Sequence, residues 1–403
     1  MTLVLIATFG GAVSALVPMA FSLALRIDQL TPGQPELLGF VLASSAAAAL
    51  LTAPLSGMLS DRTRSRWGRR RPFTLGGVVV GIAAVPALIL ADDVLTLALA
   101  WVVCAVGFGT ASSSVRNFQA DYLAPAQRGK VVGLASLTTQ VAPVLGILLA
   151  GTLVQNVAFL FAVPASLGAA CLLVFVVLVP EPSSRDRVVE RPLSLTGIIR
   201  SYGFSPRRQP DFAWLWLGRF VVFSGLTMTT SYTTFFYAQR LDLSVAEVAA
   251  ILAVTSMLSI VSLGTGSLGS GWLSDRLGRR RPFVAIGGLT SACGCILSAT
   301  ATDLPLLLTG SFMMSLGVAM FTTASAAIGL DVLPERDAQA GRFMAITMFA
   351  QRIPAVIVPL ISPALLAVPG GPESGNFAVL YITAGLLLAC GSGTIAVMVR
   401  GVR

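Results

Sequence analysis

Long apolar stretches fill this chain, separated by short polar breaks rich in arginine, proline and glycine. Stretches of about 20 apolar residues cross hydrocarbon as helices, because a helix satisfies its backbone within one segment. The breaks predict twelve spans. Six lie near 2–26, 36–60, 72–91, 94–121, 130–155 and 157–179, and six near 211–237, 247–273, 282–301, 304–331, 342–367 and 377–399. The segment between them, 180–210, contains Pro180, Pro182, Pro192 and Pro206. It reads as a connector between two six-helix bundles, 1–179 and 211–403, with a short interfacial helix over Leu193 to Tyr202. The expected class is an all-α integral membrane protein.

The polar breaks repeat. Gly57-Met58-Leu59-Ser60-Asp61-Arg62, followed by Gly68-Arg69-Arg70-Arg71-Pro72-Phe73, returns as Gly271-Trp272-Leu273-Ser274-Asp275-Arg276-Leu277-Gly278-Arg279-Arg280-Arg281-Pro282-Phe283. Asp121-Tyr122-Leu123, Gly129-Lys130 and Gln140 through Pro143 return as Asp331-Val332-Leu333, Gly341-Arg342 and Gln351 through Pro354. Three matches in register indicate duplication, the layout of a two-bundle transporter.

Composition changes the picture in three ways. Apolar residues make up 55% of the chain and charged residues 11%, and the mean hydropathy is +0.84, values outside the soluble range. The net charge of +9 comes from arginines clustered between apolar runs, which favours a membrane over nucleic acid. With a cytoplasmic N-terminus, 22 of the 27 basic residues fall on the inner side, and only Arg26 and Arg240 on the outer. That bias predicts both termini in the cytoplasm. Histidine is absent, which removes the usual imidazole proton carrier and most metal sites. Cys104, Cys171, Cys293, Cys295 and Cys390 all fall in apolar runs, where they read as core fillers without disulfides. The first apolar run has no basic leader before it and reads as a retained span.

These motifs resemble the major facilitator superfamily. The element Ser60 through Pro72, with Arg69-Arg70-Arg71, is similar to the loop of the glycoside–pentoside–hexuronide symporters, closest to the sucrose–proton branch. Arg116-Asn117-Phe118-Gln119-Ala120-Asp121 is similar to that branch's span-4 element. The resemblance implies the major facilitator fold, two bundles related by a pseudo-two-fold axis, and a central cavity lined by spans 1, 4, 7 and 10. Two features depart from the pattern. Span 2 has no acid after its first residue, Glu36, where melibiose-type members carry sodium-binding carboxylates. Met1 to Leu25 has no acid where sucrose symporters are expected to carry one, Asp28 lying just beyond. Sodium coupling is therefore disfavoured.

Ionisable groups inside a membrane mark functional sites unless they pair structurally. Arg116, Arg219 and Arg352 lie within spans and are expected to face protein or a water-filled cavity, where a guanidinium fork can grip hydroxyls or a carboxylate. Asn117, Gln119, Gln140, Tyr232 and Gln351 are the uncharged solute-binding candidates. Asp121, Asp331 and Asp28 are candidates for proton coupling or gating, and Tyr237 reads as an interfacial belt residue. Gly57, Asp61, Arg62, Gly68, Arg69 and Arg70, with Gly271, Asp275, Arg276, Gly278, Arg279 and Arg280, read as topology anchors and conformational latches. The two glycines Gly57 and Gly271 are expected to permit close helix packing.

The expected function is secondary active transport of a small polar solute, with a glycoside or other sugar as the expected class, by proton-coupled alternating access in a bacterial inner membrane. The functional unit is expected to be a monomer, with no catalytic residue, metal or cofactor and the proton gradient as driving force. A drug or metabolite exporter is the alternative, from the partial Gly-Pro-x-x-Gly-Gly echo at Ala142-Pro143-Val144-Leu145-Gly146. An organic-anion carrier is a second alternative, and a non-transporting sensor or lipid scramblase on the same fold a third. No nucleotide loop or catalytic triad pattern is present, so an enzyme is not expected.

Overall fold

The computed structural model describes residues 1–123, 125–151, 156–185, 204–332, 336–369 and 375–399. Most of them are helical, and no strand occurs among them. The first span begins as α1 (Thr2–Val17), widens through one π turn at Pro18–Ser22 and continues as α2 (Leu23–Leu30). Pro18 accounts for the change: it has no N–H to return to Ser14, so the next bonds are made one residue further on. The Leu23 N–H accordingly reaches back to the Pro18 carbonyl.

The remaining helices of the first half are α3 (Leu37–Arg62), α4 (Arg71–Ala83), the short α5 (Val85–Ile89), α6 (Val94–Tyr122), α7 (Pro125–Gly151) and α8 (Val157–Leu178). The second half holds α9 (Pro210–Leu241), α10 (Val248–Leu277), α11 (Arg281–Thr300), α12 (Leu304–Asp331), α13 (Arg336–Leu366) and α14 (Phe377–Met398). Eleven described segments are long and apolar enough to cross a membrane, and a shorter apolar stretch, Gly133–Leu149, lies within α7. Each of the twelve expected spans thus has its helix. The interfacial helix expected over 193–202 lies outside the described residues.

Local chemistry explains where these helices begin. Asp93 caps α6 by accepting from the Thr96 N–H at 2.9 Å, and Asp303 caps α12 by accepting from the Leu306 N–H at 2.9 Å. The two caps are a repeat pair, 210 residues apart. Hydrogen bonds from Thr96 hold the Asp93 carboxyl below its ordinary range. Asn156 and Asn376 cap α8 and α14 in the same way. Helices α4 and α11 each open on Arg-Pro, where a missing N–H costs nothing.

Two compact units emerge. The first comprises Met1–Glu190 with Thr233–Met257, and the second Arg191–Tyr232 with Leu258–Arg403. Helix α9 therefore belongs to the second unit up to Tyr232 and to the first from Thr233 onward. Within the first unit, Thr234 Oγ1 donates to the Ala20 carbonyl in the π turn at 2.6 Å. Trp101, Phe108, Phe161 and Phe175 fill that unit's interior, and the Trp101 indole N–H is satisfied by Ser45 at 3.1 Å. The second unit is centred on Leu215, Val222, Phe283, Val284, Phe321, Ile328, Leu388 and Ile395. Large apolar side chains such as Val177, Leu268 and Val397 point outward, as a lipid-facing surface requires.

Glycines set the closest helix crossings, at positions the sequence reading did not single out. A Cβ at Gly77 would come within 2.5 Å of the Gly107 carbonyl, where α4 crosses α6. One at Gly287 would come within 2.7 Å of the Phe321 N–H nitrogen and 2.8 Å of the Gly317 carbonyl, where α11 crosses α12. Gly77 and Gly287, like Gly107 and Gly317, are separated by 210 residues. The close packing expected at Gly57 and Gly271 is not found: a Cβ there would sit 3.8 Å from Asn117 Nδ2 and 3.7 Å from Thr323 Cγ2, in ordinary contact. Two further expectations are corrected. Tyr237 is buried rather than part of an interfacial belt. Of the cysteines only Cys104 and Cys295 are core fillers, while Cys171 is half-buried and Cys293 and Cys390 are exposed.

Candidate functional site

The first arginine cluster forms where α3 ends, α4 begins and α6 ends. Arg70 is 4% exposed and binds two carboxylates, Asp61 through Nη2 at 2.6 Å and Asp121 through Nε at 2.8 Å. Its Nη1 donates to Ser60 Oγ at 3.0 Å, so all three nitrogens of the fork have partners. Arg69 spans the same two acids, reaching Asp121 at 2.9 Å and Asp61 at 3.2 Å. Ser60 and Ser114 donate to the carbonyls of Arg69 and Arg70, fixing the backbone from which both side chains leave.

A residue that the sequence reading missed completes this cluster. Glu181 is buried just after α8, and its carboxylate accepts the backbone N–H groups of Arg69, Arg70 and Arg71 at 2.9 to 3.0 Å. An anion at the unpaired N–H groups of a helix start meets both the donors and the helix dipole. The carboxyl group fills the space where a Cβ on Gly68 would stand, and Gly68 turns there with φ +85°. Beside it, Ser184 donates to the Thr63 carbonyl at 2.8 Å and accepts from the Ser65 N–H at 3.0 Å. Thr63 and Ser65 belong to the four residues by which this loop exceeds its repeat (the offset is 214 at Asp61 and 210 at Gly68). The inserted residues therefore hold the segment that follows α8.

Replacing Glu181 by Gln is expected to cost about 1.5–3 kcal/mol, the range for hydrogen bonds to a charged group. Thermal unfolding of the purified protein in detergent measures it. An unchanged midpoint would mean that the carboxylate's charge adds nothing beyond what a neutral amide oxygen supplies.

The second cluster is lighter. Arg280 pairs with Asp331 and donates to the Ala327 carbonyl at 3.1 Å, while Asp275 stands 3.7 Å away. Its side chain is 28% exposed. Arg279, the repeat mate of Arg69, is exposed and makes no ion pair among the described residues. Arg276 lies over the Trp272 ring at 5.3 Å, and Gly278 repeats the positive φ of Gly68 at +62°. Arg62 is half-buried. A cavity of about 350 Å³ borders this cluster, lined by Arg208, Gln209, Asp211, Phe212, Asp331 and Val332.

The remaining candidates are dispersed. Arg116 is exposed on α6 and Arg352 on α13, whereas Arg219 is 5% exposed on α9 and donates from Nη1 to Ser325 Oγ at 3.0 Å. Gln119 is buried and turns to α1, donating to Thr8 Oγ1 at 3.3 Å, and Asn117 lies beside Gly57. Gln140, Gln351 and Asp28 are half-buried on α7, α13 and α2. Tyr232 is fully enclosed, and its hydroxyl donates to the Pro359 carbonyl at 3.3 Å. That carbonyl is open because its regular helical donor would be the N–H of residue 363, which is Pro363. The structure thus brings Asp61, Arg69, Arg70 and Asp121 together in one unit and Asp275, Arg280 and Asp331 in the other.

A family model described as Major Facilitator Superfamily matches residues 1–270 and 259–402. An uncharacterized symporter of Synechocystis sp. is 39% identical over 71 residues, which are 18% of this chain and 13% of that protein. The fold is similar to that of a bacterial homolog of the human lysosomal transporter Spinster, with a TM-score of 0.74 and 17% identity over 99% of this chain and 96% of that one. A D-xylose–proton symporter gives 0.73 and 17% over 98% and 97%, and the nucleoside transporter NupG 0.75 and 11% over 99% and 100%. At these identities the likeness is one of fold. The family match, by contrast, runs through both copies of the arginine motif and nearly every residue between and around them. On that ground this multi-pass helical chain belongs to the major facilitator superfamily, a family of membrane transporters.

Proposed function

We propose that the chain is a proton-driven symporter of a glycoside or related polar solute, working as a monomer by alternating access. The membrane is a bacterial inner membrane, with both termini in the cytoplasm and the arginine clusters on that side. The observation that carries the reading is the pair of arginine–aspartate clusters at matched positions of the two repeats. Charge pairs that can part and re-form are what a carrier needs to hold one state and release it. The motifs shared with glycoside symporters and the 71-residue match to a protein named as a symporter support the transport mode.

In this reading Asp61, Asp121, Asp275 and Asp331 are latches. Both Asp121 oxygens are engaged by arginines, which suits a latch better than a proton carrier. Asp28, half-buried on α2 and outside both clusters, is the proton-carrying acid. The test is uptake of labelled sucrose, maltose and trehalose into proteoliposomes with an acidic exterior. Asp28→Asn is expected to abolish accumulation but keep counterflow, while Asp121→Asn slows both. Folded protein that moves none of the sugars in either direction would overturn the reading.

A further inference from the structure

An open groove of about 280 Å³ lies where α4 crosses α6. Phe73, Gly76 and Val80 form one wall, and Val106, Gly107 and Thr110 the other. Gly76 keeps it clear, since a Cβ there meets nothing within 4 Å. The exposed side chains beside it, Val79, Val80 and Val103, are apolar. Such a surface faces hydrocarbon, and an empty cleft in it forfeits contacts on every wall. Its filler is therefore an acyl chain or another helix.

The groove starts at Pro72, directly after the arginine loop, and reaches Val80, about 12 Å further along α4 at roughly 1.5 Å per residue. Within that loop Arg69 and Arg70 bind Asp61 and Asp121, and Arg71 donates to the Val176 carbonyl at 2.6 Å. Arg64 and Arg66 are exposed and make no ion pair among the described residues. Ser184 holds the backbone on both sides of Arg64. Trp67 follows, also exposed, with the amphipathic ring that suits headgroup depth.

The second repeat lacks both halves of this arrangement. Arg64 and Arg66 fall in the four residues that have no counterpart there. Gly76 becomes Ile286 and Thr110 becomes Met320, larger side chains at the matching crossing. Clearance and charge occur together, in one half only.

We propose that this groove seats one acyl chain of an anionic phospholipid whose phosphate is held by Arg64 and Arg66. Basic residues at the end of membrane helices attract such headgroups. A second copy of the chain is the competing occupant. Copies in one membrane share an orientation, so a two-fold contact on this face sets each arginine pair against the other. Like charges oppose that contact, whereas a phosphate complements them. The assignment is independent of the transported solute.

Native mass spectrometry of the full-length protein in detergent tests it, with dioleoyl phosphatidylglycerol titrated against dioleoyl phosphatidylcholine. The two lipids share their chains and differ in net headgroup charge. Wild type is expected to retain one phosphatidylglycerol roughly tenfold more tightly than phosphatidylcholine. Arg64→Gln combined with Arg66→Gln should weaken phosphatidylglycerol roughly thirtyfold, a factor of about five for each charge. Gly76→Ile installs the second repeat's side chain. It should remove the tight site and leave the lipid-free melting temperature near that of wild type. Thr110→Met closes the groove from the other wall and serves if Gly76→Ile fails to fold.

Equal retention of the two lipids, or indifference to the glutamine pair, would overturn the proposal. So would phosphatidylglycerol binding that survives the groove-filling variants. A wild-type dimer that Gly76→Ile converts to monomer would overturn it too, because the groove then seats a second copy.

Discussion

Arg70→Ala is expected to destabilise the protein by about 1.5–3 kcal/mol, the range for hydrogen bonds to charged groups, because Arg69 still spans the two acids left behind. The loss is large because Arg70 is 4% exposed and its fork serves Asp61, Asp121 and Ser60 together. Arg280→Ala, its repeat mate, is expected to cost only about 0–1 kcal/mol. Arg280 is 28% exposed, and its partners Asp331 and Asp275 are 38% and 73% exposed, so water already screens the pairs. Thermal unfolding of both variants in the same detergent gives the comparison directly. Equal losses would mean that the two clusters hold their units equally despite the difference in burial. A double-mutant cycle with Asp121→Asn then isolates the pair energy from the general cost of truncation.

The second large effect is steric. Gly107→Leu and Gly317→Leu are each expected to prevent normal packing of their helix pair, with a loss of at least about 1–3 kcal/mol from overpacking. Backbone atoms of Gly77 and Gly81 meet the side chain at one site, and those of Gly287 and Ser291 at the other. Backbone cannot swing aside as a flexible side chain can. The controls sharpen the prediction. Gly109 and Gly76 lie on the same two helices as the first crossing, and a Cβ on either meets nothing within 4 Å. Alanine at those positions is expected to be neutral or to stabilise by up to about 1 kcal/mol through helix propensity. Yield of monodisperse protein and its unfolding midpoint check both sets, and tolerance of Leu at Gly107 would contradict the crossing described here.

Much of this arrangement can be read from residues alone, because its signals are local or repeated. Helix positions follow from run length, and the pairing of the two arginine loops follows from a fixed offset. Asp121 and Asp331 are legible for the same reason. Glu181 is not, since it lies 111 residues from Arg70 in a proline-rich stretch without periodicity. Its one signal is an acid isolated between Pro180 and Pro182 immediately after an apolar run. Ser325 is equally hidden: nothing distinguishes that hydroxyl from the other serines and threonines on the spans until α12 is set against Arg219. The glycines failed differently. Gly57 and Gly271 stand out because they sit in the motif, whereas the crossings use Gly77, Gly107, Gly287 and Gly317, whose role depends on the neighbouring helix. Tyr237 shows the same limit, because an aromatic residue near a helix end is compatible with both an interface and a core until packing decides.

The bond between Tyr232 and the Pro359 carbonyl constrains the order in which this helix pair can change during evolution. While Pro363 is present, Tyr232→Phe strands a buried acceptor and is expected to be selected against. Once Pro363→Ala has restored an N–H at that turn, the acceptor has a donor of its own, and the phenol becomes dispensable. The proline must therefore be lost before the tyrosine, so that one substitution opens a route the other cannot open by itself.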